Sequence, residues 1–188
     1  MNRLILIRHS IPVIEAGVPS NEWVLAEEGI DKARIIAKKL SGYCFGKLYT
    51  SMEPKAIETA KIIADHTNSS YEKIADVHEH LRTSNRKVFT GDEWLAIMQQ
   101  LFTKQDRFIF GDETAGAAKS RFDEAIKKLI KTHTSNEDIL LVTHGTVMSL
   151  FLSLYNHLDG FEIWCSLGMP AYVELTVSDY QIQNIVTL

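Results

Sequence analysis

The strongest pattern along the chain is a pair of uninterrupted apolar runs, residues 4–7 and 139–142, each followed at once by polar side chains. Short runs rich in isoleucine, leucine and valine are typical of strands that are buried on both faces of a sheet. Residues 47–51 predict a third, shorter strand, and residues 71–77 predict a weaker fourth strand. The pattern therefore predicts a sheet whose central strands are covered on both sides.

Between these runs, apolar residues recur at the three- and four-residue spacing of amphipathic helices. Gly42 is a predicted stop for the first helix, and Pro54 suits the first turn of the second. Near the end of the chain, apolar and polar residues alternate on both sides of Ser178 and Asp179, which predicts a hairpin at the sheet edge. The predicted helical segments are 27–43, 52–66, 91–102, 119–133 and 146–156.

This alternation of strands and helices predicts an α/β fold, a three-layer αβα sandwich around a mixed, mostly parallel sheet. A length of 188 residues suits one domain. We expect a single domain over residues 1–188, with a helical insert around 91–112 that lies over a crevice at the carboxyl ends of the strands. Most of the large aromatic residues of this insert are expected in its core. They are Trp94, Phe102, Phe108 and Phe110.

Composition narrows the class of protein. The formal net charge of −4 gives no general attraction to nucleic acid or to a membrane surface. No apolar run approaches the roughly 20 residues of a membrane helix, and the amino terminus lacks the pattern of a signal peptide, so we expect a cytoplasmic protein. Cys44 and Cys165 stand alone in the sequence, and we expect two buried, reduced thiols.

The polar residues that follow the strands carry the candidate chemistry. The first buried run leads into Arg8 and His9, and the second leads into His144. Because the carboxyl ends of parallel strands form the ligand crevice of α/β sheets, these side chains are predicted to meet there. The third strand leads into a helix with Lys55 in its first turn, and the N-terminus of that helix is expected to favour an anion. Together these groups predict a phosphate site.

Four motifs in this order resemble the histidine phosphatase superfamily, which has the phosphoglycerate-mutase-like fold. The segment "LIRHS" is similar to the family's "RHG", and "SMEPKAIETA" is similar to "S-x-x-x-R-A-x-E-T-A". The segments "GDETAGAAKSRFDEAIKKL" and "VTHGTVMSLFL" resemble the "G-x-E-S" helix and the "V-x-H-G" turn. Each motif alone is weak or moderate, whereas four in the correct order over nearly the whole chain are specific.

The resemblance implies roles for individual residues. His9 is the expected nucleophile, which forms a phosphohistidine, while Arg8 grips the phosphoryl oxygens and His144 donates to the same oxygens. Gly145 and either Ser20 or Asn21 are also expected to bind phosphate, although a plain turn is an equal alternative for Ser20 and Asn21. Since His9 must be neutral to attack, the proton affinities of the two histidines are expected to differ. No cofactor is implied.

A general acid is needed to protonate the leaving group, and the segment "DVHEHLR" resembles the family segment that supplies it. This makes Glu79 the expected acid. Glu72 and Asp76 are weaker alternatives, because both lie in or before the predicted strand. A metal site at His78, Glu79 and His80 is a minor alternative, because no further ligand is evident near them.

The sequence also departs from the family pattern. Ser10 replaces the glycine after the histidine, and Lys55 replaces an arginine, which keeps the charge but loses the planar two-pronged donor. Arg82 and Arg86 could compensate, but we expect them to be solvated loop charges.

These observations predict a metal-independent phosphomonoester hydrolase that acts through a phosphohistidine on a small phosphorylated metabolite or a phosphoprotein. A phosphoglycerate-type mutase is an alternative, although "EHLRTSNR" does not fit the mutase pattern around the acid. A phosphate- or phosphoprotein-binding module with weak or no catalysis is a second alternative, motivated by Lys55. The oligomeric state stays open.

Overall fold

A computed structural model describes residues 2–85 and 87–188 of the chain. Six strands form one sheet in the order β3-β2-β4-β1-β5-β6. The first four strands in this order are parallel, whereas β5 runs antiparallel to β1 and β6 antiparallel to β5. The strands are β1 (Arg3–Arg8), β2 (Lys47–Thr50), β3 (Ser70–Lys73), β4 (Ile139–Thr143), β5 (Ala171–Thr176) and β6 (Ile182–Thr187). The predicted mixed sheet with its terminal hairpin is confirmed.

Helices cover the sheet and agree closely with the predicted segments. They are α1 (Glu27–Leu40), α2 (Pro54–Thr67), α3 (Gly91–Thr103), α4 (Ala115–Thr132), α5 (Gly145–Asn156) and α6 (Gly160–Ser166). The sequence pattern did not predict α6 or a short 3₁₀ helix at Ser20–Glu22. Helix α1 ends at Leu40, two residues before the predicted stop at Gly42.

Strand β1 explains why its sequence is apolar without interruption. Leu4 and Leu6 point into a core shared with α3, α4, α5 and α6, whereas Ile5 and Ile7 point into a second core shared with α1 and α2. All four side chains are fully buried. Since successive side chains of a strand point to opposite faces, a strand with helices on both faces needs apolar residues at every position. The predicted three-layer sandwich is confirmed.

The register between β1 and β4 brings the two predicted histidines together. The strands are parallel neighbours, and Arg8 lies opposite Thr143. The N–H of His9 donates to the carbonyl of Thr143 over 2.9 Å, one residue before His144. The residues that follow both strands therefore leave the same edge of the sheet at adjacent positions.

Two features of the periphery differ from the sequence-based expectations. Strand β3 covers only Ser70–Lys73, all four of its residues are exposed, and it lies at one edge of the sheet. Cys44 and Cys165 are exposed free thiols, so the expectation that they are buried is wrong. Among the described residues, no helix is both long and apolar enough to cross a membrane.

Candidate active site

His9 and His144 form the centre of the site. Their ring centroids lie 5.1 Å apart in an edge-to-face arrangement, and both side chains are buried. His9 Nδ1 lies 2.7 Å from the carbonyl oxygen of Ser10. Because a carbonyl can only accept, Nδ1 carries the proton and Nε2 carries the lone pair. His9 is thus held as the tautomer whose Nε2 has a free lone pair, as a nucleophile requires.

The same surroundings lower the pKa of both histidines well below the usual value of 6.5. For His9 the main cause is burial, followed by the nearby His144 and Lys55. For His144 the main causes are burial and Lys55, opposed by the carboxylate of Glu79. Both shifts are downward, so both rings are neutral at pH 7 in the free protein.

The second histidine is oriented from the end of β2. His144 Nε2 lies 2.8 Å from Ser51 Oγ in a hydrogen bond and 3.5 Å from Glu53 Oε1. Its Nδ1 is buried and has no partner in the part of the chain that the structure describes. A buried, unpartnered nitrogen beside the nucleophile suits a phosphoryl oxygen.

Arg8 offers a second such group. Its Nη1 donates to the carbonyl of Leu167 over 2.6 Å, while its buried Nε lacks a partner among the described residues. Burial lowers the pKa of this guanidinium, and the charge of Glu79 opposes the shift. A Cβ on Gly145 would lie only 2.8 Å from Arg8 Nε. Gly145 therefore contributes by leaving room for the guanidinium.

Lys55 is at the site, but its charge is already paired. Its Nζ forms a buried ion pair with the carboxylate of Glu53 and donates to the carbonyl of Ser20 over 2.7 Å. The backbone N–H of Lys55 donates to the carbonyl of Trp23 over 3.1 Å. The expectation that this helix N-terminus offers a free N–H to an anion is thus wrong at Lys55. Glu53, which sequence reasoning missed, sets how much positive charge Lys55 offers.

Glu79 lies in the loop after β3 and lines the site. Its carboxylate accepts the backbone N–H groups of His80 at 2.9 Å, Thr146 at 3.1 Å and Val147 at 3.3 Å. Burial raises the pKa of Glu79. The nearby His144 and the N–H groups of His80 and Thr146 lower the pKa by more, so the net shift is downward. Glu79 is therefore ionised in the free protein and caps the N-terminus of α5.

A side chain of α4, Arg121, holds the loop that carries Glu79 in place. Arg121 donates to the carbonyls of Asp76, His78 and Glu79 over 2.8, 3.0 and 3.2 Å, and it forms a 2.7 Å ion pair with Glu113. This side chain belongs to the third motif of the sequence, to which sequence reasoning assigned no role. It holds the backbone of the candidate acid in place.

Arg82 lines the same cavity, which corrects the expectation of a solvated loop charge. Its guanidinium carbon lies 5.6, 5.0 and 5.8 Å from the ring centroids of Trp23, Trp94 and Phe110. Its Nε donates to Ser20 Oγ over 2.8 Å. Cation–π contact on several sides fixes the position of this charge. Arg86 lies outside the described residues.

Several of these side chains line one cavity of about 380 Å³, whereas His144 and Gly145 lie beside it and are not among its lining residues. His9, Arg8, Lys55 and Glu79 lie at its floor together with Thr146. Asn21 does not line it, although its neighbour Ser20 does, and the buried Asn21 Oδ1 has no partner among the described residues. No group of three His, Cys, Asp or Glu residues within 2–85 and 87–188 is arranged to hold a metal ion.

The aromatic residues of the predicted insert divide into three groups. Trp94 and Phe110 line the cavity, Phe102 is buried in the core, and Phe108 is 68% exposed. Trp94 and Phe110 also pack against the core, so the expected core burial holds for three of the four residues and fails for Phe108. Helix α3 also contributes a wall of the site.

Comparison with solved structures shows the same fold. The chain matches mycobacterial glucosyl-3-phosphoglycerate phosphatase complexed with VO3 at 15% identity and a TM-score of 0.78, over 100% of both chains. It matches a phosphoserine phosphatase mutant from Entamoeba histolytica at 17% identity and a TM-score of 0.77, covering 99% of this chain and 97% of that one. YhfR of Bacillus stearothermophilus matches at 20% identity and a TM-score of 0.75, covering 97% and 96%.

Sequence comparison gives the family. No curated protein matches the chain significantly. The sequence model of the histidine phosphatase superfamily (branch 1) matches residues 4–186, nearly the whole chain. The resemblance carried by the four motifs is confirmed: the chain belongs to the histidine phosphatase superfamily.

Proposed function

We propose that this protein is a phosphomonoester hydrolase that acts through a phosphohistidine at His9 without a metal ion. The observation that carries the proposal is the buried, neutral His9 imidazole with its Nδ1 proton fixed on the carbonyl of Ser10. Two buried nitrogens without partners among the described residues, Arg8 Nε and His144 Nδ1, belong to the same cluster, and His144 Nδ1 is a donor when Nε2 of the same ring accepts the hydroxyl of Ser51. This combination of one nucleophile and two donors suits a phosphoryl group.

In the first step, His9 Nε2 attacks phosphorus while the bond from phosphorus to the ester oxygen breaks. The leaving oxygen takes a proton from Glu79, and the phosphoryl group stays on His9. In the second step, a water molecule gives a proton back to Glu79 and attacks phosphorus, and the N–P bond breaks. Inorganic phosphate and the free His9 are the products.

Glu79 must gain a proton before the first step. In the free protein its pKa is lowered by His144 and by backbone N–H donors, against the effect of burial. A phosphate dianion placed beside this carboxylate favours the protonated form, because like charges repel. Substrate binding therefore favours protonation of Glu79, and the proton comes from solvent or from a monoanionic substrate.

Arg82 supplies the second guanidinium of the phosphate site. The charge of Lys55 is balanced by Glu53, whereas Arg82 lines the same cavity and shares Ser20 with Lys55. The ring contacts hold the Arg82 guanidinium in one place without neutralising it. This arrangement provides the charge and the donor geometry that a lysine alone lacks.

A phosphorylated small molecule is the proposed type of substrate. The cavity of about 380 Å³ suits a small ligand better than a protein surface. Among the structural neighbours, the phosphoserine phosphatase from Entamoeba histolytica was solved with phosphoserine and with 3-phosphoglyceric acid. We propose that the same floor of the fold holds the phosphate here.

The test is turnover of a panel of phosphomonoesters by purified protein in the presence of a chelator. We expect hydrolysis, a phosphoenzyme that survives a denaturing alkaline quench, and the loss of both in His9→Ala. The exposed His66 provides the matched control, because His66→Ala should leave both unchanged. Binding of phosphate without turnover of any ester would instead identify a phosphate-binding module, and transfer between two hydroxyl groups would identify a mutase.

A further inference from the structure

Above its charged floor, the cavity is lined mainly by apolar side chains. The wall is formed by helices α3 and α6 and by four loops: the loop after β1, the loop before α3, the loop between α3 and α4, and the loop after α6. Its apolar residues are Ile11, Pro12, Ile14, Trp23, Val88, Phe89, Trp94, Phe110, Trp164 and Met169. An apolar wall of this kind receives the part of a ligand that lies beyond the phosphate.

The aromatic part of this wall is continuous. The ring of Trp94 lies 5.3 Å from that of Phe110, 6.0 Å from that of Trp164 and 6.1 Å from that of Phe89, measured between centroids. Contacts at these distances hold each ring against the next. The wall therefore presents one apolar surface in place of separate exposed side chains.

Polar groups in the wall are few, and most are engaged; the buried Nδ1 of His80 has no partner among the described residues. Arg82 Nε donates to Ser20 Oγ, and Lys87 Nζ forms a 2.7 Å ion pair with Glu93. His80 Nε2 is bonded to the carbonyl of Glu113 over 2.8 Å. A leaving group with many hydroxyls would bury them against carbon, and each buried hydroxyl without a partner is unfavourable.

We infer that the preferred substrate is a phosphomonoester whose leaving group is apolar: a single aromatic ring or a short hydrocarbon chain. This inference rests on the proposed function and concerns the same site. Burial of carbon against the wall provides the binding energy, and a cavity of about 380 Å³ has room for a ring or a short chain beyond the phosphate. The alcohol released has no hydroxyl other than the one that carried the phosphate.

A series of n-alkyl phosphates from ethyl to hexyl tests the inference, because these esters share nearly the same leaving-group chemistry and differ in apolar area. We expect kcat/KM to rise roughly fourfold for each added methylene until the cavity is full. Benzyl phosphate should exceed glycerol phosphate by a factor of about one hundred or more. Equal values along the series, with clear turnover, would overturn the inference and leave the proposed function intact.

Two substitutions test whether the apolar wall causes the dependence of kcat/KM on alkyl chain length. Trp164→Ala should lower the ratio of hexyl to ethyl phosphate turnover about tenfold, because it removes one side of the apolar surface. Phe108→Ala is the matched control, since Phe108 is 68% exposed and does not line the cavity. An unchanged ratio in Trp164→Ala would contradict the assignment of the wall.

Binding of alkylphosphonates, which cannot be hydrolysed, separates the two proposals. Calorimetry on the wild-type protein should show affinity rising from methyl- to hexylphosphonate, whether or not any ester is turned over. A rising affinity without turnover supports the wall and overturns the proposed catalysis. A flat affinity overturns the inference in either case.

Discussion

Replacement of Glu53 by glutamine tests the electrostatic design of the site. Glu53 is the residue before α2 and is 7% exposed. Its carboxylate pairs with Lys55, accepts the N–H of Glu79 over 2.9 Å, and lies 3.5 Å from His144 Nε2. Glutamine keeps the shape and an acceptor oxygen but removes the charge. The substitution therefore releases the positive charge of Lys55.

Two opposing effects follow. A phosphoryl oxygen bonded to His144 Nδ1, on the far side of the ring, lies within about 9 Å of the Glu53 carboxylate. At an effective dielectric constant of about 20, one unit of like charge at that distance is unfavourable by about 2 kcal/mol. Glu53→Gln should therefore tighten the Kd of phosphate roughly thirtyfold. Without phosphate, the buried Lys55 loses its partner, and the free energy of unfolding should fall by about 3 kcal/mol.

Calorimetric titration with inorganic phosphate and urea unfolding with and without phosphate measure both effects. Saturating phosphate should restore more stability to the variant than to the wild type, because the ligand replaces the lost negative charge. Glu72→Gln is the control: its ion pair with Lys47 is exposed, so both measurements should change by less than about 1 kcal/mol. Unchanged or weaker phosphate binding in Glu53→Gln would refute the view that Glu53 limits the charge of Lys55.

Four further predictions address single groups. Arg82→Met keeps the packing but removes the charge, and should raise the inhibition constant of inorganic phosphate about tenfold, with Arg82→Lys intermediate. Glu79→Gln should slow alkyl phosphates by about one hundredfold but 4-nitrophenyl phosphate by less than tenfold, in steady-state assays, because only the alkoxide needs a proton. Gly145→Ala should lower kcat/KM by roughly one hundredfold without lowering the Tm, because the new Cβ displaces the Arg8 guanidinium. Burial, His144 and Lys55 lower the pKa of His9, so kcat/KM calculated for the monoanionic form of the substrate, which brings its own proton, should stay level as pH falls through 6.5. Stability should decline from that pH downward, since the unfolded histidines then bind protons that the native ones exclude.

The elements that the sequence predicted best are those whose pattern reflects burial over many residues. The apolar runs of β1 and β4 are typical of buried strands, and the pattern of α4 is typical of an amphipathic helix. Strand β3 is short and all four of its residues are exposed, so its sequence has no alternation of apolar and polar residues. Helix α6 has only seven residues, too few for a periodic pattern.

The sequence predicted the site residues that belong to recognisable motifs and missed those that the fold brings together from elsewhere. His9, His144 and Glu79 follow from their places after strands, whereas Glu53 and Lys55 are two positions apart, a spacing that does not bring side chains together within a helix. They meet because Glu53 lies just outside α2 in extended backbone. Arg82 was misjudged because the rings that enclose it come from distant segments, at Trp23, Trp94 and Phe110.

The place of β1 in the sheet determines when an active site can exist during synthesis. Leu4 pairs with Ile139 on one side and with Leu175 on the other, so β1 lies between two strands that follow it far along the sequence. A ribosome must therefore translate most of the chain before His9 acquires its neighbours. Until then, β1 is an apolar segment with two unpaired edges. Segments of this kind are prone to aggregate and are typical binding sites for chaperones. Nascent chains that stop before β5 should be both inactive and prone to aggregate.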